Sequence, residues 1–176
     1  ENEWVNGKKI KIESEPHSFG ARFMYGTLAI ETATSTNTSI TFFWNGWGLG
    51  LTNENYIDDR TSEKIEFQTQ FTELSYTFDL SEIIYDSLTM TLGAGIPSGE
   101  GKVTKSSSTN EFKSSNVSGF TLYSVFGMDY SDFEILAGFR VNNITYSEFD
   151  CGCASTLEGE YTAWGGQPMI GLGYSF

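Results

Sequence analysis

Apolar residues recur at every second position along most of this chain, with small or polar residues between them. The C-terminus shows the pattern most clearly, because Ile170, Leu172, Tyr174 and Phe176 alternate with glycine and serine. A period of two predicts β-strands with one apolar face. The same alternation runs through six further segments, at residues 19–29, 40–51, 73–78, 88–96, 120–130 and 133–142.

Two changes of phase interrupt this alternation. The apolar positions change from even-numbered to odd-numbered at Asn45–Gly46, which predicts a β-bulge within one strand. A similar slip is predicted near Phe71–Thr72. This interpretation gives seven strands, whereas a barrel with both ends on one side needs an even number. Trp4–Ile12 is the candidate for the eighth strand, so residues 1–16 form either this first strand or an N-terminal extension.

The size of the side chains on the two faces of each strand indicates how the strands are arranged. Large apolar side chains occupy one face of the last strand, and the other face holds almost no side chain. Small residues suit the interior of a narrow barrel, and large apolar ones suit lipid. Short connections at 81–86 and 130–132 alternate with longer polar ones at 53–64, 99–117 and 150–162, which we expect on the extracellular side. We predict an all-β, eight-stranded, antiparallel, up-and-down transmembrane β-barrel.

Length and charge narrow the classes of function. The 176 residues suffice for one domain, so we expect residues 1–176 to form a single barrel domain. The net charge of −13 excludes a nucleic-acid module, which needs a basic face. No stretch approaches 18 consecutive apolar residues, and the first residues carry no signal-peptide pattern. We interpret the chain as a mature form whose signal peptide has been removed; the alternative is a cytosolic protein that never had one.

The C-terminal segment Pro168–Phe176 resembles the last strand of small outer-membrane barrels of the OmpA, OmpX and OmpW kind, including the opacity-protein-like barrels. In that family a terminal Phe, with apolar or aromatic residues at alternate positions before it, is the signal that the barrel-assembly machinery recognises. The resemblance implies an outer membrane of a Gram-negative bacterium, with Ile170, Leu172, Tyr174 and Phe176 as the signal. Soluble barrels and sandwiches are the alternative, and they would bury Phe and Leu.

Five charged residues fall on the small, polar faces of the predicted strands. If the apolar faces meet lipid, these residues point into the lumen, where isolated charges are costly and must pair. We therefore predict a network that links the two arginines to the acidic residues. Structural filling of the lumen is the main interpretation, and a gated polar conduit is the alternative. The residues are Arg22, Glu73, Asp129, Glu134 and Arg140.

Other chemistry in the chain is sparse. Cys151 and Cys153 lie in the predicted last long loop, where three interpretations compete: a small loop-tightening disulfide, an intermolecular link or partner contact, and a soft-metal site. We favour the disulfide and predict neither a metal nor a cofactor. His17 is the one histidine, followed by Ser18, and a surface role suits it better than catalysis.

Three functions remain open at this stage. The first is a non-enzymatic surface barrel with a plugged polar lumen, whose extracellular loops contact an envelope partner or a surface component. The second is a channel for small solutes or hydrophobic compounds, similar to OmpW and therefore porin-like. The third is a lipid-modifying enzyme, for which the sequence lacks a catalytic constellation. Outer-membrane lipid is an expected partner in each case, and nucleic acid is not.

Overall fold

A computed structural model describes residues 2–5, 8–11, 19–80, 87–106, 110–152, 156–157 and 159–176. All regular structure in these ranges is β-strand, and no helix among them is long and apolar enough to span a membrane. The strands are β1 (Asn2–Val5), β2 (Lys8–Lys11), β3 (Phe19–Ile30), β4 (Ala33–Trp44), β5 (Trp47–Asp59), β6 (Glu63–Asp79), β7 (Leu88–Lys105), β8 (Glu111–Ser114), β9 (Asn116–Tyr130), β10 (Phe133–Ser147), β11 (Phe149–Asp150), β12 (Thr156–Leu157) and β13 (Tyr161–Ser175).

Eight of these strands close into an antiparallel barrel. Neighbours along the chain pair in the order β3, β4, β5, β6, β7, β9, β10 and β13, and β13 returns to pair with β3. Both ends of the barrel lie at one rim, where the backbone N–H of Phe176 donates to the carbonyl oxygen of Phe19. We call this the terminal rim and the opposite one the far rim. The predicted fold class is confirmed.

Trp4–Ile12 was predicted to supply the eighth strand of the barrel, and this prediction was wrong. Trp44 pairs with Trp47 across a two-residue hairpin turn, so the predicted bulge at Asn45–Gly46 was wrong. Asn45 and Gly46 have φ values of 48° and 83°, the left-handed conformation that a type I′ hairpin turn requires. The segment 40–51 therefore belongs to two strands, β4 and β5, whereas the N-terminal strands β1 and β2 pair with each other.

The predicted slip near Phe71 was also wrong. Strand β6 pairs without interruption from Glu63 to Asp79, so no residue is inserted. Phe71 points into the barrel and is completely buried, whereas Leu74, three positions later, points outward. The apolar positions of β6 change from the inward face to the outward face near Phe71 because the surroundings of the two faces change there, and the strand pairing is not interrupted.

The far rim is built from longer strands than expected. Most of segment 53–64 is strand, and only residues 60–62 connect β5 to β6. Strand β7 continues to Lys105, β8 lies in the connection to β9, and β11 and β12 lie in the connection to β13. These short strands extend the sheet beside β7 in the order β8, β11, β12.

Large apolar side chains cover the outside of the barrel toward the terminal rim. Phe126, Phe139 and Leu172 are 46%, 50% and 62% exposed, although a soluble barrel would bury such residues. Together with the other outward-facing apolar residues they form a continuous apolar belt, as lipid-facing surfaces do. The belt includes Phe23, Ile40, Phe42, Leu49, Leu51, Leu74, Phe78, Leu92, Ile96, Leu122, Phe133, Ile135 and Ile170.

Candidate functional site

Polar side chains cross the barrel interior at several levels, and the level nearest the terminal rim is an Arg22–Glu134 pair. The guanidinium of Arg22 donates to both carboxylate oxygens of Glu134, over 2.6 and 2.9 Å. It also donates to Thr77 and Thr91 and lies 4.6 Å from the ring centre of Phe43. This bidentate geometry satisfies both buried charges, because each partner has its polar atoms occupied.

The second level is an Arg140–Glu73 pair near the middle of the barrel. Both residues are 1% exposed, and two nitrogens of Arg140 donate to the two carboxylate oxygens of Glu73. Arg140 also donates to Thr52 and Thr121 over 3.1 Å. These contacts join β10 to β5, β6 and β9, so one side chain links four strands across the lumen.

Tyr123 fills the remaining space between these two levels. Its ring lies 4.8 Å from the Arg140 guanidinium carbon, a cation–π arrangement. The ring also lies directly over Gly93, where any side-chain carbon would collide with it. The alternating glycines noted in the sequence thus make room for large side chains that reach inward from other strands.

The fifth predicted lumen residue, Asp129, lies on β9 next to the Arg22–Glu134 pair. Asp129 faces inward near the terminal rim, where it is half-buried and stands opposite Glu134 in the β9–β10 register. The structure therefore joins Arg22 to Glu134 and Arg140 to Glu73.

A third level, which the sequence did not reveal, lies above Arg140. Glu54 accepts hydrogen bonds from Ser35 over 2.6 Å and from Gln167 over 3.1 Å, and Asn142 also donates to it. Asn37 and Gln167 bond to each other beside them. The segment around Glu54 was interpreted as a loop, so its inward-facing carboxylate was missed. Its even-numbered position, in phase with Gly48 and Gly50, was the available signal.

Above these levels the interior becomes apolar toward the far rim. Phe67 and Tyr146 pack with ring centres 4.5 Å apart, and Tyr56 stacks on Phe67 at 5.6 Å. We call this group the far-rim cluster. Its buried members are Ile65, Phe67, Phe71, Val103, Phe112, Ile144, Tyr146, Phe149, Leu157 and Ala163.

The outer surface around the far-rim cluster is polar and charged. Lys64 pairs with Glu66, and Glu111 lies within 3.7 Å of Lys102 and 3.2 Å of Lys113. The hydrogen bond from Lys113, helped by the charge of Lys102, holds the pKa of the Glu111 carboxyl below its ordinary value. Such exposed mixed charges suit water and do not suit hydrocarbon.

The barrel wall is incomplete between β3 and β13. Their pairing runs from Ser175↔Gly20 only to Met169↔Gly26, although both strands continue toward the far rim. A cleft of about 340 Å³ opens beyond this point, and we call it the lateral cleft. Its lining combines apolar residues, among them Leu28, Ile30 and Trp164, with the polar groups of the third level.

The other predicted site residues lie in different parts of the structure. Cys151 is disulfide-bonded and packs against the far-rim cluster, whereas Cys153 lies outside the described residues. His17 and Ser18 also lie outside them. The four residues of the predicted assembly signal, Ile170, Leu172, Tyr174 and Phe176, face outward on or beside β13. Within the described ranges no cluster of three or more His, Cys, Asp or Glu residues is arranged to hold a metal ion.

Comparison with solved structures relates this geometry to known proteins. The chain is similar to Neisserial surface protein A (NspA), with a TM-score of 0.57, 14% identity, and coverage of 90% of this chain and 96% of that one. It is also similar to Ail, the attachment invasion locus protein of Yersinia pestis, with a TM-score of 0.51, 12% identity, and coverage of 92% and 100%. The fold is therefore that of small outer-membrane barrels, as predicted. The sequence matches no protein-family model, and no characterised protein is close enough in sequence to count as a relative.

Proposed function

We propose that this protein is a non-enzymatic surface barrel of a bacterial outer membrane, with a closed lumen and a far rim that faces the cell exterior. The observation that carries the proposal is the pair of Arg–Glu bridges at successive levels of the interior. Eight strands leave an interior that side chains can fill, and here buried ion pairs and Tyr123 occupy it. Water and solutes then have no open path between the rims.

Conductance in planar lipid bilayers tests the closed lumen. We expect the purified protein to insert without producing discrete current steps. A porin with an open lumen, inserted under the same conditions, is the sensitivity control, because removal of the Arg140–Glu73 bridge alone would leave the Arg22–Glu134 bridge and the far-rim cluster in the passage. Regular current steps from the unaltered protein would contradict the proposal and favour a channel.

The far rim suits contact with an envelope partner or a surface component. Long strands, the far-rim cluster and the disulfide at Cys151 support a rigid platform there, and its outer surface carries mixed charges. A photo-crosslinking amino acid in place of Lys113 should give discrete adducts in intact cells. The same substitution at Asp132, which is exposed at the terminal rim, is the control. Equal adducts from both positions would contradict this assignment.

We also propose that β13 and Phe176 carry the signal for the barrel-assembly machinery. Support comes from the outward exposure of Phe176 (69%) and of Ile170 (70%), which leaves both side chains accessible to another protein. Phe176→Ala should slow assembly in cells, yet leave unaided refolding in detergent nearly unchanged. The fraction that migrates as a folded band on unheated gels measures both. An equal defect in the two settings would indicate a stabilising role, through the ring contacts with Phe19 and Tyr174, instead of a signal.

A further inference from the structure

The lateral cleft has a cause in the sequence, because β13 carries a proline at the point where its pairing with β3 ends. The N–H of Ser175 points toward the β10 side and donates to the backbone carbonyl oxygen of Asp132, the residue before β10, whereas the N–H of Phe176 points to β3 and donates to the carbonyl oxygen of Phe19. Backbone groups alternate sides along a strand, so even-numbered residues of β13 face β3. Pro168 is even-numbered and has no N–H to donate. The ladder therefore stops at Met169, and Gly165–Gly166 follow it toward the far rim.

The cleft lies where hydrocarbon gives way to polar surroundings. Pro168 stands beside Phe139 of the apolar belt, and Trp164 stands beside Asn143, the first polar outward position of β10. Leu28 and Ile30 are the even-numbered, lumen-side residues of β3 beyond the last pair with β13, and Ile30 is 58% exposed there. A hydrocarbon chain can therefore reach these residues sideways from the membrane.

The polar end of the cleft presents hydrogen-bond acceptors. Glu54 is 4% exposed, and among the described residues no lysine or arginine lies within ion-pair distance of its carboxylate. Asn142 lines the cleft and is 3% exposed, and no donor in the part of the chain that the structure describes bonds to its Oδ1. Arg60, the cation of the lining, is bound to Asp58 over 2.7 Å. The hydrogen bonds that Glu54 accepts come from the neutral groups of Ser35, Gln167 and Asn142, so its carboxylate has no cationic partner among the described residues. Because a buried charge without a counter-charge is costly, the cleft lacks a cationic donor.

We propose that the lateral cleft binds a single-chain amphiphile with a primary ammonium head. The head donates to Glu54 and to the Oδ1 of Asn142, and the chain lies along Leu28, Ile30 and Trp164 between the separated strands. An anionic head would meet the carboxylates of Glu54 and Asp58 and is disfavoured. This ligand site is an addition to the surface function proposed above. If the cleft binds no amphiphile, the conductance result expected above stays the same, so each proposal can be wrong without the other being wrong.

Photo-crosslinking in phosphatidylcholine nanodiscs tests the site, with a dodecylamine that carries a diazirine on its chain. We expect saturable labelling confined to residues 26–33 and 161–168, mapped by mass spectrometry. Glu54→Gln should raise the probe concentration at half-saturation about tenfold, because the variant loses a charge-assisted hydrogen bond to the head. Asn142→Ala is a second variant that keeps the carboxylate, and Ile96→Ala, on the belt of β7, is the matched control. Unheated gel migration verifies that each variant is folded.

Three results would overturn the proposal. One is labelling that spreads evenly around the belt without saturating, which indicates bulk lipid only. Another is equal saturation at the same residues by the matching dodecyl sulfate or dodecanol probe, because the ammonium head would then not be recognised. The third is unchanged half-saturation in both Glu54→Gln and Asn142→Ala.

Discussion

The same strands surround two different interiors. Toward the terminal rim, strand β6 points Leu74 and Phe78 outward and Glu73 inward, whereas toward the far rim it points Phe67 inward and Gln68 outward. Strand β10 does the same, with Phe139 outside, Arg140 inside, and Ile144 inside four residues later. In the lipid-facing half, apolar side chains therefore point outward and polar ones inward, whereas in the water-facing half apolar side chains point inward. The pairing of β6 with β7 continues through both halves without a break in register. The two halves differ in the medium around the outer face, which is lipid in one and water in the other.

The largest expected effect comes from breaking the middle bridge of the membrane-spanning half. Arg140→Met should leave Glu73 buried without its partner and cost roughly 3–5 kcal/mol of folding free energy. Urea unfolding in lipid vesicles, followed by tryptophan fluorescence, measures this. Arg60→Gln removes a largely exposed member of an ion pair and should cost less than about 1 kcal/mol. A similar loss of folding free energy in both variants would mean that water in the lumen solvates the Glu73 carboxylate.

The far-rim cluster should respond to a loss of bulk. Phe67→Ala removes a ring that is 1% exposed, and such substitutions in packed cores cost about 3–5 kcal/mol. Phe139→Ala removes an equal ring from the lipid-facing surface, which is 50% exposed, and should cost clearly less. The same unfolding assay compares the two. The reverse order would show that the far-rim cluster is not a packed core.

A charge placed on the outer face separates the two regions by their solvent. Leu92→Arg puts a cation into the belt on β7 and should cost about 2–4 kcal/mol if it lies near the bilayer midplane. Gln68→Arg puts the same side chain on the outer face of β6 toward the far rim, where we expect almost no change. Comparable costs at the two positions would show that the belt and the far-rim surface meet the same medium.

A smaller effect is expected at the open seam. Pro168→Val restores an N–H on the edge that faces β3, so it should extend the ladder by at least the pair with Thr27. Hydrogen exchange of the odd-numbered β3 amides beyond Gly26, at Thr27 and Ala29, should then slow because these amides face β13, while exchange at Leu28 and Ile30, which face β4, stays as before. Unchanged exchange at both Thr27 and Ala29 would mean that the strands part for a reason other than the missing donor.

Much of this arrangement follows from the sequence alone, because period two and side-chain bulk are local properties. The barrel could be predicted from the alternation, and Arg22, Glu73, Glu134 and Arg140 from their places on the polar faces. Which arginine bonds to which glutamate could not, since that depends on the stagger of strands up to 112 residues apart. The hairpin at Asn45–Gly46 was misjudged although Asn-Gly is a strong turn signal. The far-rim cluster was missed because large apolar side chains were expected on the lipid-facing side of every strand, whereas Phe67 and Phe71 face inward.

Site-directed spin labelling along β6 tests the inversion most directly, by comparing accessibility to oxygen, which concentrates in lipid, with accessibility to a water-soluble nickel complex. Labels at Leu74, Tyr76 and Phe78 should favour oxygen, and labels at Glu66, Gln68 and Gln70 should favour nickel. Phe67 should be inaccessible to both. If all six outward positions favour the same reagent, or if Phe67 is as accessible as its neighbours, the account of two opposite interiors in one barrel is wrong.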